Sequence, residues 1–302
     1  MPHLHDHSPD QAPANYNKAF IVGMALNLVY VVAQIVFGIF AHSLALLADA
    51  GHNFGDVVGL LLAWGAIYLA KMRPTARRTY GLGRSSILAA LANAILLLVA
   101  VGGITWEAIR RFNNPGEVAA KTVIVVAAIG IAINGVTALL FVRGHKHDLN
   151  LKGAFLHMTA DAAVSAGVVI AGILIQLTGW HWIDPVTSLV INAVIVWGTW
   201  GLLRHSLAMA LDVVPANVDP VAVRRYLETL NGVTAVHDLH IWPMSTTERA
   251  LTCHLVMPSG TVDAFLMETA QLLKTSFRIG HTTLQVETHP DNGCALAPDD
   301  GV

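Results

Sequence analysis

Charge is scarce in this chain. Only 13% of its 302 residues are Asp, Glu, Lys or Arg, against about 25% in an ordinary soluble domain. Hydrophobic residues make up 54%, and the mean hydropathy is +0.57. One globular core cannot absorb that much apolar side chain, so the apolar residues belong in membrane spans. Neither sign of charge dominates; a net charge of -2 gives no footing for nucleic acid. Cysteine is nearly absent. Cys253 and Cys294 are too few for a disulfide framework, and both lie in the polar C-terminal part, which reads as a reducing, cytoplasmic setting. No G-x-x-x-x-G-K-[ST] loop is present, which argues against ATP-driven pumping; no H-E-x-x-H is present, which argues against a zinc protease. The opening MPHLHDHSPDQAPANYNK lacks the basic-then-apolar order of a secretory signal, so the first apolar stretch is expected to remain as a span. Histidine is what the chain has in excess, 15 against 5 tyrosines.

Six apolar segments, at 19–40, 44–70, 85–108, 121–142, 153–177 and 184–203, each approach the roughly 20 residues needed to cross a bilayer. Basic residues set their orientation. Lys71, Arg73, Arg77, Arg78 and Arg84 join the second and third spans, and Arg143, Lys146 and Lys152 join the fourth and fifth. The turn near His42 and the stretch 178–183 have none, while 110–121 carries Arg110, Arg111 and Lys121. This bias predicts that both termini are cytoplasmic. The expected domains are a histidine-containing tail at 1–18, a transport region at 19–211, a soluble domain at 212–290 and a tail at 291–302.

The soluble part reads as α+β in the order αββαβ. Asp219 and Pro220 make an N-cap and first helical residue, and Asn231-Gly232 closes that helix. Residues 233–242, 250–257 and 282–288 read as strands, and 261–277 as a helix. A compact sheet with helices on one face follows.

Ionisable residues inside hydrocarbon are costly and point to function. In the second span LLADAGHNFGDVVG places Asp49, His52, Asn53 and Asp56 on one helical stripe. In the fifth, AFLHMTADAAVS places His157, Asp161 and Ser165 on another. At 1.5 Å rise per residue, His52 and Asp56 lie roughly 12 and 18 Å from the outer boundary. His157 and Asp161 lie roughly 21 and 15 Å from it in a core about 30 Å thick. Two His-x-x-x-Asp pairs therefore overlap in depth. Two imidazoles and two carboxylates give a four-coordinate set of the kind Zn²⁺ prefers, with its charge balanced. Imidazole disfavours Mg²⁺ and Ca²⁺, but Co²⁺, Ni²⁺ and Cd²⁺ are harder to exclude.

Over nearly its full length the sequence resembles the cation diffusion facilitator family of metal/proton antiporters. The matching segments are SLALLADAGHNFGD, RTYGLGRSSILAAL, LNLKGAFLHMTADAAVS, IDPVTSLVI, VHDLHIW and TLQVE. The resemblance implies that His52, Asp56, His157 and Asp161 form the transport site, with Zn²⁺ as substrate and Cd²⁺ or Co²⁺ as alternatives. It implies a homodimer joined through a ferredoxin-like, metallochaperone-like cytoplasmic domain, and outward metal exchanged for inward protons. It further implies a regulatory metal site drawn from His237, His254, His281 and Glu287, and a charge pair between Arg84 and Asp212. Cys294 and the N-terminal His3, His5 and His7 are further candidate ligands. His240 is set aside because its strand parity is opposite to that of His237, and Cys253 is read as a small core residue. The loop KMRPTARRTYGLGR offers arginines where ligands would be needed, so no metal is expected there; RGHKHDLN, with His145 and His147, reads as a solvated turn.

The expectation is thus a proton-coupled zinc exporter, not an enzyme, in a prokaryotic plasma (inner) membrane. The alternatives are a passive or metal-gated carrier with the same site, an intramembrane metalloenzyme, and a membrane metal sensor.

Overall fold

A computed structural model of the chain describes residues 14–112, 115–141 and 149–289. Six long helices come first: α1 (Ala14–Phe40), α2 (Leu44–Ala70), α3 (Ser85–Phe112), α4 (Ala120–Phe141), α5 (Leu149–Thr178) and α6 (Ile183–Ala210). Five carry stretches long and apolar enough to cross a membrane: Leu44–Ala70, Ser85–Phe112, Ala120–Leu139, Phe155–Thr178 and Ile183–Ala210. In α1 the apolar stretch Ala25–Phe40, among described residues, is shorter than a full span. The chain is an integral membrane protein. A soluble α+β part follows: α7 (Pro220–Glu228), β1 (Ala235–Pro243), β2 (Arg249–Val256), α8 (Asp263–Phe277) and β3 (His281–Glu287).

The residues fall into two compact units. The first comprises the described residues within Met1–Leu60 and Ile95–Thr199. Its apolar core includes Tyr30, Leu46, Val101, Val123, Val168 and Ile191. Close helix approach needs small residues. A Cβ at Gly55 would overlap the Leu97 side chain, and one at Gly130 would overlap the Tyr30 hydroxyl. The start of α2 is held firmly. Ser43 accepts from the Leu46 N–H at 3.1 Å, a side-chain cap. Asp184, in the first turn of α6, accepts from the Ser43 hydroxyl at 2.5 Å and from the Leu44 and Ala45 N–H groups at 2.6 and 3.3 Å. Its carboxyl satisfies donors that a helix start leaves open and complements the helix dipole. That explains the IDP sequence at the head of α6.

The second unit comprises the described residues within Leu61–Ala94 and Trp200–Val302. Asp219 accepts from the Val221 N–H at 2.9 Å with Pro220 opening α7, as the sequence signal predicts. The sheet order is β1-β2-β3, with β1 antiparallel and β3 parallel to β2. Val223, Leu227, Leu251, Leu255, Leu273 and Ile279 fill its core. The register slips between His237 and His240, where Asp238 takes φ 50°. Such a bulge re-aims the side chains beyond it. Arg84 meets Asp212 at 2.7 Å, the pair that the resemblance anticipates.

Candidate metal centres

The α2 stripe and the α5 stripe meet. His52 Nε2 lies 3.2 Å from Asp161 Oδ1, and His157 Nε2 lies 3.3 Å from Asp56 Oδ2. Within each helix the i,i+4 partners are farther apart: His52 to Asp56 is 4.0 Å and His157 to Asp161 is 3.6 Å. Each imidazole therefore reaches the other helix's carboxylate more closely than its own, the opposite of two separate local pairs. The rings stand edge to face with centroids 6.2 Å apart. Ligand atoms of His52, Asp56 and Asp161 all lie within 4.8 Å of one another. Asp161 is buried, and His157 is the most open of the four. Asp161 Oδ2 is buried without a hydrogen-bond donor. Lone pairs left open in a buried site are costly unless something else satisfies them. A cation between the carboxylates would do so.

Behind this quartet lies a buried polar knot. Asp49 accepts from the Gln34 amide at 2.7 Å and from the Ser165 hydroxyl at 3.0 Å. Asn53 donates to Gln34 Oε1 at 3.2 Å. Sequence reading put Asp49, Asn53 and Ser165 on the right stripes but passed over Gln34. An amide inside an apolar stretch, which α1 shows at Asn27 and Gln34, was its signal.

The α+β part carries a second cluster. The register sets His237 opposite His254, and Val256 opposite Glu287. His254 Nδ1 lies 2.8 Å from Glu287 Oε1, and His237 Nε2 lies 3.4 Å from the same oxygen. The two rings are 5.0 Å apart, and His237 Nε2 is buried without a hydrogen bond. His281 does not join them. It opens β3 opposite Ala250, and its ring meets Tyr80 edge-on at 5.6 Å. Six residues along a strand separate it from Glu287, about 20 Å at 3.3 Å per residue. The four-residue set must lose His281. Asp238, which sequence reading missed, lies 3.5 Å from His254 Nε2 and 2.8 Å from His240 Nε2. The parity argument against His240 assumed an unbroken strand, and the bulge at Asp238 breaks it. Cys253 is buried in the sheet core, and burial pushes its thiol up to about 12. His3, His5, His7, His145, His147 and Cys294 lie outside the described residues.

Helices that cross a membrane, with one imidazole–carboxylate cluster among them and another in an α+β unit, define a membrane protein equipped to handle borderline-soft metal ions. The family of the cation efflux transmembrane domain matches residues 20–209, and that of the cation efflux protein, cytoplasmic domain, matches residues 215–289. The chain belongs to the cation efflux family. It is 35% identical to the metal cation efflux system protein CzcD of Cupriavidus metallidurans, over 95% of this chain and 90% of that one. It is 32% identical to a cadmium, cobalt and zinc/H(+)-K(+) antiporter of Bacillus velezensis, over 97% and 94%. It is 33% identical to the zinc transporter ZitB of Escherichia coli, over 100% and 97%.

Proposed function

We propose that this protein exports a divalent metal cation, zinc foremost, from the cytoplasm through a site made of His52, Asp56, His157 and Asp161. The observation that carries the reading is the crossed pairing, in which each imidazole contacts the carboxylate of the opposite helix at 3.2 and 3.3 Å. Two carboxylates neutralise the charge of the dication, and two imidazoles select against Mg²⁺ and Ca²⁺. Cd²⁺ and Co²⁺ fit the same donors less selectively, and the relatives named for zinc, cadmium and cobalt support this substrate class. The role is transport, not catalysis.

Imidazole and carboxylate bind metal only when deprotonated, so metal and protons compete for the same atoms. Alternating access would then load metal from the cytoplasm and return protons from the other side, and the relative named as an antiporter supports the exchange. We further propose six spans with α1 as the first, both termini cytoplasmic, in a bacterial inner membrane. The C-terminal domain would adopt a metallochaperone-like role, join two copies, and hold a regulatory ion on His237, His254 and Glu287, with Asp238 beside them. The domain limits 1–18, 19–211, 212–290 and 291–302 go with this scheme.

Stopped-flow uptake into proteoliposomes tests it. Zinc, cadmium and cobalt fluxes should rise when an opposing proton gradient is imposed. Fluxes indifferent to that gradient would instead favour a passive carrier through the same site.

A further inference from the structure

We infer that Asp49 and Ser165 are positioning residues that set the spacing of α2 and α5, and so make the site prefer zinc over a larger dication such as cadmium. The inference rests on the His52, Asp56, His157 and Asp161 reading and deepens it.

The ligand quartet contains no spacer of its own. Across the two helices its contacts run only between ligand atoms, which must move apart to admit an ion. One turn away the situation differs. Asp49 precedes His52 by three residues and Ser165 follows Asp161 by four, so each stands one turn along its helix from a ligand. The Ser165 hydroxyl donates to Asp49 Oδ2 at 3.0 Å, joining α2 to α5 without involving any ligand. That oxygen also accepts from Gln34 of α1 at 2.7 Å. Asn53, on the turn between Asp49 and Asp56, donates to Gln34 Oε1 at 3.2 Å and to the Asp49 carbonyl at 3.1 Å. Gln34, Asp49, Asn53 and Ser165 all have 0% exposure.

A fully buried polar knot resists stretching, because any partner pulled away leaves an unsatisfied group in apolar surroundings. Three helices are fixed at one level by side chains that do not touch the ion. The distance available to the quartet is therefore set from outside it. Zn²⁺ sits about 2.0–2.2 Å from nitrogen and oxygen ligands. A larger cation needs its four donors farther apart, and the knot opposes that. Loosening the knot should relax discrimination more than it harms binding.

The experiment uses the full chain in detergent, with the soluble cluster silenced by H237A and H254A, and measures zinc and cadmium dissociation constants by calorimetry. S165A is expected to lower the zinc-to-cadmium affinity ratio by about fivefold, the scale of one buried hydrogen bond. S165T, which keeps the hydroxyl, is expected to restore the ratio. D49N replaces the charged acceptor of Ser165 by a weaker neutral one and serves as a second variant should S165A fail to fold; its ratio should fall by a smaller factor, and an unchanged ratio would overturn the inference. Equal weakening of both metals in S165A, with an unchanged ratio, would show a merely structural bond and overturn the inference. D161A separates the two levels. If it abolishes zinc binding while the S165A ratio holds steady, only the spacing inference falls. If D161A binds zinc like the parent, the quartet reading falls, and the inference with it.

Discussion

In the membrane cluster the candidate ligands come in i,i+4 pairs from two helices; in the soluble cluster they come singly from separate strands. The first arrangement draws four donors from two helices, and the polar side chains one turn away, Asp49, Asn53 and Ser165, are already bound to one another and to Gln34. The second has Asp238 and His240 beside its three ligands, and Asp238 already contacts His254. One cluster therefore has no reserve, and the other does. A site that would neutralise a dication inside hydrocarbon tolerates no missing carboxylate, whereas one spread across three strands has Asp238 and His240 next to it to recruit.

The sharpest way to break this contrast is Asp161→Ala. Zinc flux in proteoliposomes should fall by about 100-fold or more, beyond the range of about 10–100-fold seen for losing an outer-shell partner. Metal binding by the soluble cluster should be unchanged. Substantial flux in this variant would place the transport path elsewhere.

His254→Ala should reduce zinc affinity of the soluble cluster by about 10-fold or more, measured with the membrane site silenced. Asp238→Asn should reduce it less, and His281→Ala should leave it unaltered, because His281 stands against Tyr80 at the other end of β3. An equal loss in His281→Ala would contradict the observed strand register.

Cys253 offers a smaller effect. Its thiol is raised from an ordinary value of 9.0 to about 12, chiefly by burial. The folded protein therefore holds this proton where the unfolded chain releases it. Stability should fall as pH rises above about 9, the unfolded chain's titration range, and be unaffected below it. On a Cys294→Ser background, Cys253 should resist thiolate-directed alkylation at pH 8 until the domain unfolds. Rapid labelling of the native protein would contradict the burial.

Least of all should change with Arg84→Gln. The Arg84–Asp212 pair is close but about half exposed on both sides, and such pairs contribute about 0–1 kcal/mol. Chemical denaturation that shows a much larger loss would mean the pair has a role beyond its Coulomb attraction.

How much of this was legible in the sequence follows from the two periodicities. The helical repeat is rigid, so spacing alone put His52 with Asp56 and His157 with Asp161 on single faces, and depth arithmetic brought the faces level. Nothing in that arithmetic required the crossed contacts, because which helix faces which is decided by packing of the whole bundle. The partners of Gln34, Asp49 and Asn53, were hidden for the same reason. In the sheet, alternation is legible only while the strand is regular. Asp238 at φ 50° shifts the register; aspartate is a poor strand former that tolerates this conformation, but its presence alone does not say that the ladder slips there. Likewise, His281 shares parity with Glu287, but parity says nothing of distance along the strand, and the two stand at opposite ends of β3.

The central claim is that one zinc ion binds to two imidazoles and two carboxylates between α2 and α5. X-ray absorption at the zinc edge, on full-length protein whose soluble cluster is removed by His237→Ala and His254→Ala, reads the coordination directly. The account predicts four nitrogen and oxygen neighbours at about 2.0–2.2 Å, with scattering from two imidazole rings, and loss of that signal in Asp161→Ala. A shell without imidazole, or one unchanged in Asp161→Ala, would contradict it.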